Sequence, residues 1–291
     1  MNYDGLIIRP PSEANSLILQ VTVGCSHNRC TFCPAYKNKK FRIKPVEDIF
    51  RDIDDAARRG DRVSRVFLCD GDPLMMPQTT LTGVLDHLGL RFSGLRRVGI
   101  YGNAKSVLAK SPQELRLLKQ KKLGIVYMGL ESGDQVTLDA VQKGATTCQM
   151  IEAASRVREA GIKLNVTVLL GVGGKQRSTV HAVETMRVLN RMKPNQIGAL
   201  TLMVVPGTPL HDALENGLFE LPDKFELIEE LRTMVATSQL QNCLFFSNHA
   251  SNYFPVQARL PRDKDSILDA LDRVLSSRDE GALREECTRS L

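Results

Sequence analysis

The sequence is short of several features that would fix its class at once. No apolar run approaches the roughly 18 to 20 residues that a membrane helix needs. The first fifteen residues, MNYDGLIIRPPSEAN, lack the apolar centre of a secretion signal. The expectation is a cytoplasmic protein with no membrane role. Aromatic residues make up only 5% of the chain, and no stripe interleaves them with basic ones, so the usual signature of a nucleic-acid surface is missing. Internal repeats and low-complexity segments are absent too, and with 42% apolar residues a disordered or fibrous chain is excluded. The net charge of +6 suits an anionic substrate such as a nucleotide, a phosphate ester or RNA, and equally suits a mildly basic surface with no partner. Seven cysteines, an odd number with three inside nine residues, do not make a disulfide framework and point to reduced thiols.

With 291 residues the chain can bury one large core, or one core with a modest appendage. Six short apolar runs rich in β-branched residues read as strands: 16–23, 65–69, 97–101, 124–130, 163–170 and 196–205. They are continuous more than alternating, the pattern of parallel strands covered on both faces. Amphipathic helices are expected between them, at 45–59 before Gly60, 112–121 after Ser111, 147–160 before Gly161 and 178–192 before Pro194. Ser111, Pro112 and Glu114 supply a cap, a first-turn proline and a capping-box acid. Repeated strand-helix units give an α/β fold, either a β/α barrel or a doubly wound sheet, which periodicity does not separate. After Pro206, Gly207 and Pro209 the pattern turns helical (222–240 and 264–276), interrupted by a polar-aromatic stretch at 242–259. A core over 1–215 and an extension over 216–291 are expected.

The chemistry concentrates after the first strand, where β/α proteins place catalytic loops. Gly24-Cys25-Ser26-His27-Asn28-Arg29-Cys30-Thr31-Phe32-Cys33 spaces its thiols as C-x4-C-x2-C. Three thiolates ligate three irons of a cubane and leave the fourth iron open to another ligand. The alternative is a zinc site made with His27 as the fourth donor, although His27 lies only two residues from Cys25. An electron-transfer ferredoxin would bring a fourth cysteine close by. Cys69, Cys148, Cys243 and Cys287 are isolated and read as buried thiols.

This loop resembles that of the radical S-adenosylmethionine (SAM) superfamily, C-x3-C-x-aromatic-C, with Phe32 in the aromatic place and a first gap one residue longer. Cys69-Asp70-Gly71-Asp72-Pro73 resembles the family's Gly-Gly-Glu-Pro element, which implies that Gly71 and Asp72 hold the ammonium of SAM. Gly129-Leu130-Glu131-Ser132-Gly133 is similar to the G-x-E/Q-S segment of the coproporphyrinogen-oxidase-like and elongator-like branches, implying ribose contacts from Glu131 and Ser132. In the same branches a Lys-Gly pair like Lys143-Gly144 faces the SAM carboxylate, with a solvated helix-end lysine as the plain alternative. Asn103, after the third strand, is a candidate for SAM or substrate. Gly171-Val172-Gly173-Gly174 resembles the glycine element near adenine and is neither a Rossmann fingerprint nor a Walker loop. The similarity spans roughly residues 15 to 215 and implies a partial (β/α)6 TIM-type barrel of parallel strands with a small, mostly helical C-terminal extension.

The implied activity is reductive cleavage of SAM at a [4Fe-4S] cluster on Cys25, Cys30 and Cys33, giving a 5′-deoxyadenosyl radical that abstracts hydrogen from a small-molecule or RNA substrate. A one-electron donor such as flavodoxin or ferredoxin is implied, since no second cysteine cluster offers an internal relay. Oligomeric state and reaction outcome are left open. The run Phe245-Phe246-Ser247-Asn248-His249-Ala250-Ser251-Asn252-Tyr253 offers polar groups for a substrate, with His249 as proton donor or acceptor or as an ordinary surface histidine. Tyr36-Lys37-Asn38-Lys39-Lys40-Phe41-Arg42 offers either an anion-binding or a merely solvated basic loop. The competing class is an iron-sulfur or zinc-binding regulatory or RNA-binding protein without radical chemistry.

Overall fold

A computed structural model of the chain describes residues 1–60 and 62–290. In chain order the strands are β1 (Leu17–Gln20), β2 (Thr22–Val23), β3 (Arg42–Ile43), β4 (Arg65–Cys69), β5 (Arg97–Tyr101), β6 (Leu123–Glu131), β7 (Lys163–Leu170), β8 (Gln196–Thr201), β9 (Cys243–Phe246) and β10 (Gln257–Leu260). The helices are α1 (Val46–Arg58), α2 (Gln78–Arg91), α3 (Ala104–Leu108), α4 (Pro112–Gln120), α5 (Gln135–Ala140), α6 (Thr147–Glu159), α7 (Gly174–Met192), α8 (Pro209–Glu215), α9 (Lys224–Ala236) and α10 (Lys264–Ser277). Two compact units emerge. The first joins Met1–Asn28, Ala35–Met128 and Glu152–Leu164, and the second joins Arg29–Pro34, Gly129–Ile151 and the chain from Asn165 onward.

In the first unit β1, β4, β5 and β6 lie side by side in that order, all parallel, with Leu17 opposite Val66, Val66 opposite Val98 and Ile100 opposite Val126. Successive side chains of a strand point to opposite faces, and here both sets are buried. Phe67 and Cys69 join Ile125 and Tyr127 in one cluster with Ile7, Ile18 and Tyr101, while Val66 and Leu68 are equally inaccessible. That is why these strands read as unbroken apolar runs. Glu13 is also fully buried and accepts hydrogen bonds from Ser16, from the Tyr127 hydroxyl (2.5 Å) and from Arg97 (2.5 Å). Gly99 leaves room for this carboxylate, because a Cβ there would stand 3.2 Å from Glu13 Oε1.

In the second unit β7 and β8 are parallel from Asn165–Gln196 to Leu170–Thr201, β9 adds parallel to β8, and β10 closes antiparallel on β9. Helix α9 packs on α7 and on α10. In both units neighbouring strands follow chain order, whereas a doubly wound sheet reverses its order at a switch point. The fold is α/β and mostly parallel, in keeping with the barrel-type succession expected from sequence.

Several boundaries differ from the expectation. The run 16–23 breaks at Val21, because β1 pairs with β4 while β2 turns away to pair antiparallel with β3. Strand β8 ends at Thr201, four residues early, because side chains take over its last hydrogen bonds: Thr201 N–H donates to Ser251 Oγ (3.2 Å), Thr201 Oγ1 donates to Asn252 Oδ1 (2.8 Å) and Asn252 Nδ2 donates to the Ala199 carbonyl (2.9 Å). The polar-aromatic stretch 242–259 carries β9 and most of β10, two strands beyond the six expected. Helix α7 begins at Gly174, four residues before the expected start. The capping box of α4 forms as read, with Ser111 and Glu114 exchanging side-chain and backbone bonds.

Candidate active site

In the first unit the loop after β2 opens on Gly24, in the left-handed region at φ +76°, and continues into Cys25, whose side chain is half-buried. The loop after β4 comes against it. Gly71 N–H donates to the Gly24 carbonyl (3.0 Å), and a Cβ on Gly71 would lie 2.8 Å from Cys25 Cβ and 2.9 Å from Cys25 Cα. Only glycine permits that approach. The next residue, Asp72, is fully buried. Its Oδ2 accepts the Ser26 hydroxyl and the Asn103 amide (2.8 Å), while no hydrogen bond of good geometry reaches Oδ1. Burial pushes this carboxyl above its usual pKa, against the pull of Ser26, Ser106 and Asn103. Asn103 also caps α3, its Oδ1 accepting Ser106 N–H at 2.9 Å. The structure thus brings Gly71, Asp72 and Asn103 together beside Cys25.

Asp70, just before Gly71, is fully buried as well. It accepts the Tyr36 hydroxyl (2.6 Å) and, more distantly, Gly24 N–H and Gln20 Nε2 (3.4 Å each), with Lys39 Nζ at 3.9 Å. Burial raises its pKa in spite of these partners.

In the second unit the segment 29–34 is pinned by its backbone, with Thr31 N–H donating to the Val141 carbonyl (3.0 Å) and Leu210 N–H donating to the Thr31 carbonyl (3.1 Å). Phe32 packs on the buried cluster of Val141, Val172, Leu202 and Leu210. At the end of β6, Glu131 adopts φ +64°, an uncommon conformation for a residue with a side chain. Its carboxylate pairs with Lys143 Nζ at 2.8 Å. Gly129 makes the space, since a Cβ there would fall 2.2 Å from Glu131 Oε1 and 3.0 Å from Lys143 Nζ. The two residues singled out separately in the sequence are direct partners.

Ser132 is fully buried, its hydroxyl 2.7 Å from His181 Nδ1 and accepting Asp134 N–H (3.0 Å). His181 Nε2 lies 3.3 Å from Glu230 Oε1, too poorly aligned for a hydrogen bond. Glu230 accepts Gly171 N–H (2.7 Å) and the Ser178 hydroxyl (2.6 Å). This buried network joins the turns after β6 and β7 to α9, and the sequence reading passed over it. A histidine inside an otherwise amphipathic helix was its only local signal. His249 is partly buried and its Nδ1 accepts Ser251 N–H (3.1 Å). Burial, then the nearby Arg284, lower its pKa below the usual histidine value.

Among the described residues no cysteine is disulfide-bonded; Cys25, Cys30 and Cys33 are all half-buried. Cys69 and Cys243 are buried as expected, and burial holds the Cys243 thiol at about 12, whereas Cys148 and Cys287 are exposed, contrary to the buried reading. Among the described residues no group of three or more His, Cys, Asp or Glu side chains is gathered to hold a metal ion. No described helix is long and apolar enough to cross a membrane.

The model of the radical SAM superfamily matches residues 19–189, more than half of the chain. The chain belongs to the radical SAM superfamily. An uncharacterized protein of Methanocaldococcus jannaschii is 24% identical over 258 residues, covering 84% of this chain and 74% of that protein. Among solved structures, coproporphyrinogen III oxidase of Escherichia coli is similar at a TM-score of 0.56 and 15% identity, over 76% of this chain and 51% of that one. The methyltransferase TsrM of Kitasatospora setae, solved with cobalamin and a [4Fe-4S] cluster, is similar at a TM-score of 0.57 and 15% identity, over 88% and 52%. These structural likenesses are of fold, and this radical SAM chain spans about half the length of either solved protein. It is an enzyme of the superfamily, and its cofactors are a [4Fe-4S] cluster and SAM. The donor chemistry fits: three thiols stand on one short loop, a glycine seats the first of them, and a buried carboxylate oxygen beside it lacks a hydrogen bond.

Proposed function

We propose that this enzyme cleaves SAM reductively, with Cys25, Cys30 and Cys33 as the cluster's protein ligands, and abstracts hydrogen from a substrate not yet identified. When bound, the cluster supplies one electron to the sulfonium, releasing methionine and a 5′-deoxyadenosyl radical. The observation that carries the reading is Asp72: a fully buried carboxylate with no hydrogen bond of good geometry to one of its oxygens, on the loop that Gly71 seats against Cys25. A buried carboxylate needs a partner, and the ammonium of SAM is the cation that this place in the family's loop implies.

The chain's other residues take supporting roles. Asn103 orients Asp72 through its amide. Glu131 faces the ribose and Lys143 the carboxylate of SAM, their mutual ion pair holding both charged ends in place until the ligand arrives. Ser132, engaged by His181, sets the turn that Glu131 begins, and Phe32 anchors the middle of the second cysteine pair in an apolar bed. His249 serves as proton donor or acceptor toward substrate. The core is 1–215 with 216–291 as its extension, the enzyme acts in the cytoplasm, and a flavodoxin or ferredoxin delivers the electron.

The test is anaerobic reconstitution followed by iron and sulfide analysis, then assay for 5′-deoxyadenosine with SAM and dithionite. About four irons per chain and deoxyadenosine formation are expected, both lost when all three cysteines become alanine. Stoichiometric zinc without cleavage, or full cleavage by the triple variant, overturns the proposal.

A further inference from the structure

The loop C-x4-C-x2-C carries one residue more in its first gap than the family's loop, and one residue of that gap is tied to the chain beyond Cys33. Asn28, in that gap, adopts the left-handed conformation at φ +44°, which asparagine tolerates better than most residues. Its side-chain amide donates to the Tyr36 carbonyl (2.7 Å) and to the Lys39 carbonyl (3.2 Å). Tyr36, three residues beyond Cys33, is itself buried and donates its hydroxyl to Asp70. Asp70 in turn receives Gly24 N–H, from the residue immediately before Cys25. Asp70 occupies a position where the element that this segment resembles carries glycine, so its side chain is an addition of this sequence.

These contacts form a chain within the first unit: Asn28 to the Tyr36 carbonyl, the Tyr36 hydroxyl to Asp70, Asp70 to the amide before Cys25. The span from Cys25 to Ala35 is therefore tied at its entrance, at its exit and at one interior residue. Fixing the ends of a loop removes much of the conformational freedom its ligands otherwise lose on closing around a metal.

We propose that Asn28, Tyr36 and Asp70 are positioning residues that hold the lengthened cysteine loop in a cluster-binding shape. The proposal rests on the reading of Cys25, Cys30 and Cys33 as cluster ligands. None of the three need touch the cluster. Asn28→Gly keeps the left-handed backbone accessible and removes the amide, Tyr36→Phe removes only the hydroxyl, and Asp70→Asn keeps an acceptor where Asp70→Ala does not.

The experiment follows iron loss from the reconstituted protein under excess chelator, alongside the melting temperature of the metal-free chain and the spectrum of the reduced cluster with and without SAM. Iron loss about two- to tenfold faster is expected for Asn28→Gly, which loses one strong and one longer hydrogen bond, and for Tyr36→Phe, which loses one. The double variant should fall short of the product of the two, since both act through Tyr36. Asp70→Asn should return most of the retention that Asp70→Ala loses, while the metal-free melting temperatures of Asn28→Gly and Tyr36→Phe fall by no more than about 5 °C and do not rank with the iron loss. Wild-type iron retention in both Asn28→Gly and Tyr36→Phe, or iron loss that merely tracks a fall in metal-free stability, overturns the proposal and leaves the cleavage activity standing. A parent protein that takes up no cluster overturns both.

Discussion

Replacing Gly71 with alanine adds one methyl group at the tightest approach of two loops. The new Cβ would lie 2.8 Å from Cys25 Cβ, 2.8 Å from the Gly24 oxygen and 2.9 Å from Cys25 Cα. Carbon atoms pack at about 3.5–4.0 Å, so the carbon contacts are short by roughly 0.6–1.2 Å. Each neighbour is backbone or the first atom of a side chain, and no rotamer change relieves the clash. The loops must part, which lengthens the Gly71–Gly24 hydrogen bond of 3.0 Å and draws Asp72 away from Ser26. Overpacking at about 1–3 kcal/mol and one lost hydrogen bond at about 1 kcal/mol give a destabilisation of roughly 2–4 kcal/mol. For a chain of this size the melting temperature falls by about 5–10 °C. Calorimetry of the metal-free chain reads that fall, and iron content after reconstitution reads the displacement of Cys25. Gly89→Ala in α2 is the control, because nothing lies within 4 Å of its Cβ position, and it should stabilise by roughly 0.5–1 kcal/mol. A Gly71→Ala protein that melts with the parent and loads its full iron refutes the reasoning.

Three further outcomes follow from the geometry. Glu230→Ala strips the acceptor from Gly171 N–H and from Ser178, two donors left unpaired in a buried setting, so denaturant unfolding should show a loss of about 2–4 kcal/mol; a loss under about 1 kcal/mol would refute the network's role. Arg289→Ala removes donors to the Ser251 carbonyl (2.7 Å) and the Tyr253 hydroxyl (2.5 Å), so hydrogen exchange at Thr201 and Ser251 should quicken by about tenfold or more, and unchanged protection there counts against it. Burial alone would raise the Asp134 pKa, but hydrogen bonds from Arg177 and Thr137 outweigh it and hold the carboxyl at about 2. Its stabilising contribution is therefore complete above the unfolded value near 3.9 and is lost as the pH falls through about 2. The stability gap between parent and Arg177→Ala should be widest near pH 6 and close as the pH falls through about 2, and a gap independent of pH contradicts the pairing.

What could be read from the sequence was whatever is encoded locally. The α4 capping box needs only residues 111 to 114, and the thiols on the cysteine loop need only nine residues in a row. The parallel strands were legible because both of their faces are buried. The end of β8 was not, since it is decided by Ser251 and Asn252, about fifty residues away. Strands β9 and β10 were missed for a related reason: four-residue strands flanked by polar groups carry little periodicity, although β10 does alternate exposed and buried positions. Helix α2 went unread because Gly83, Gly89 and three threonines dilute its apolar stripe. At the site, the ion pair of Glu131 with Lys143 and the Asn28, Tyr36 and Asp70 contacts depend on how loops meet, which no motif records.

Glu13 has a bearing on the order in which the first unit assembles. Its carboxylate is satisfied by Arg97 and Tyr127, 84 and 114 positions downstream. During synthesis those partners emerge long after it, and an acid sealed from water without them is strongly unfavourable. The segment around Glu13 must therefore stay hydrated until β5 and β6 exist, and dock after them. Slow, non-local closure of this kind makes the stretch that carries Glu13 a late clasp on strands already paired.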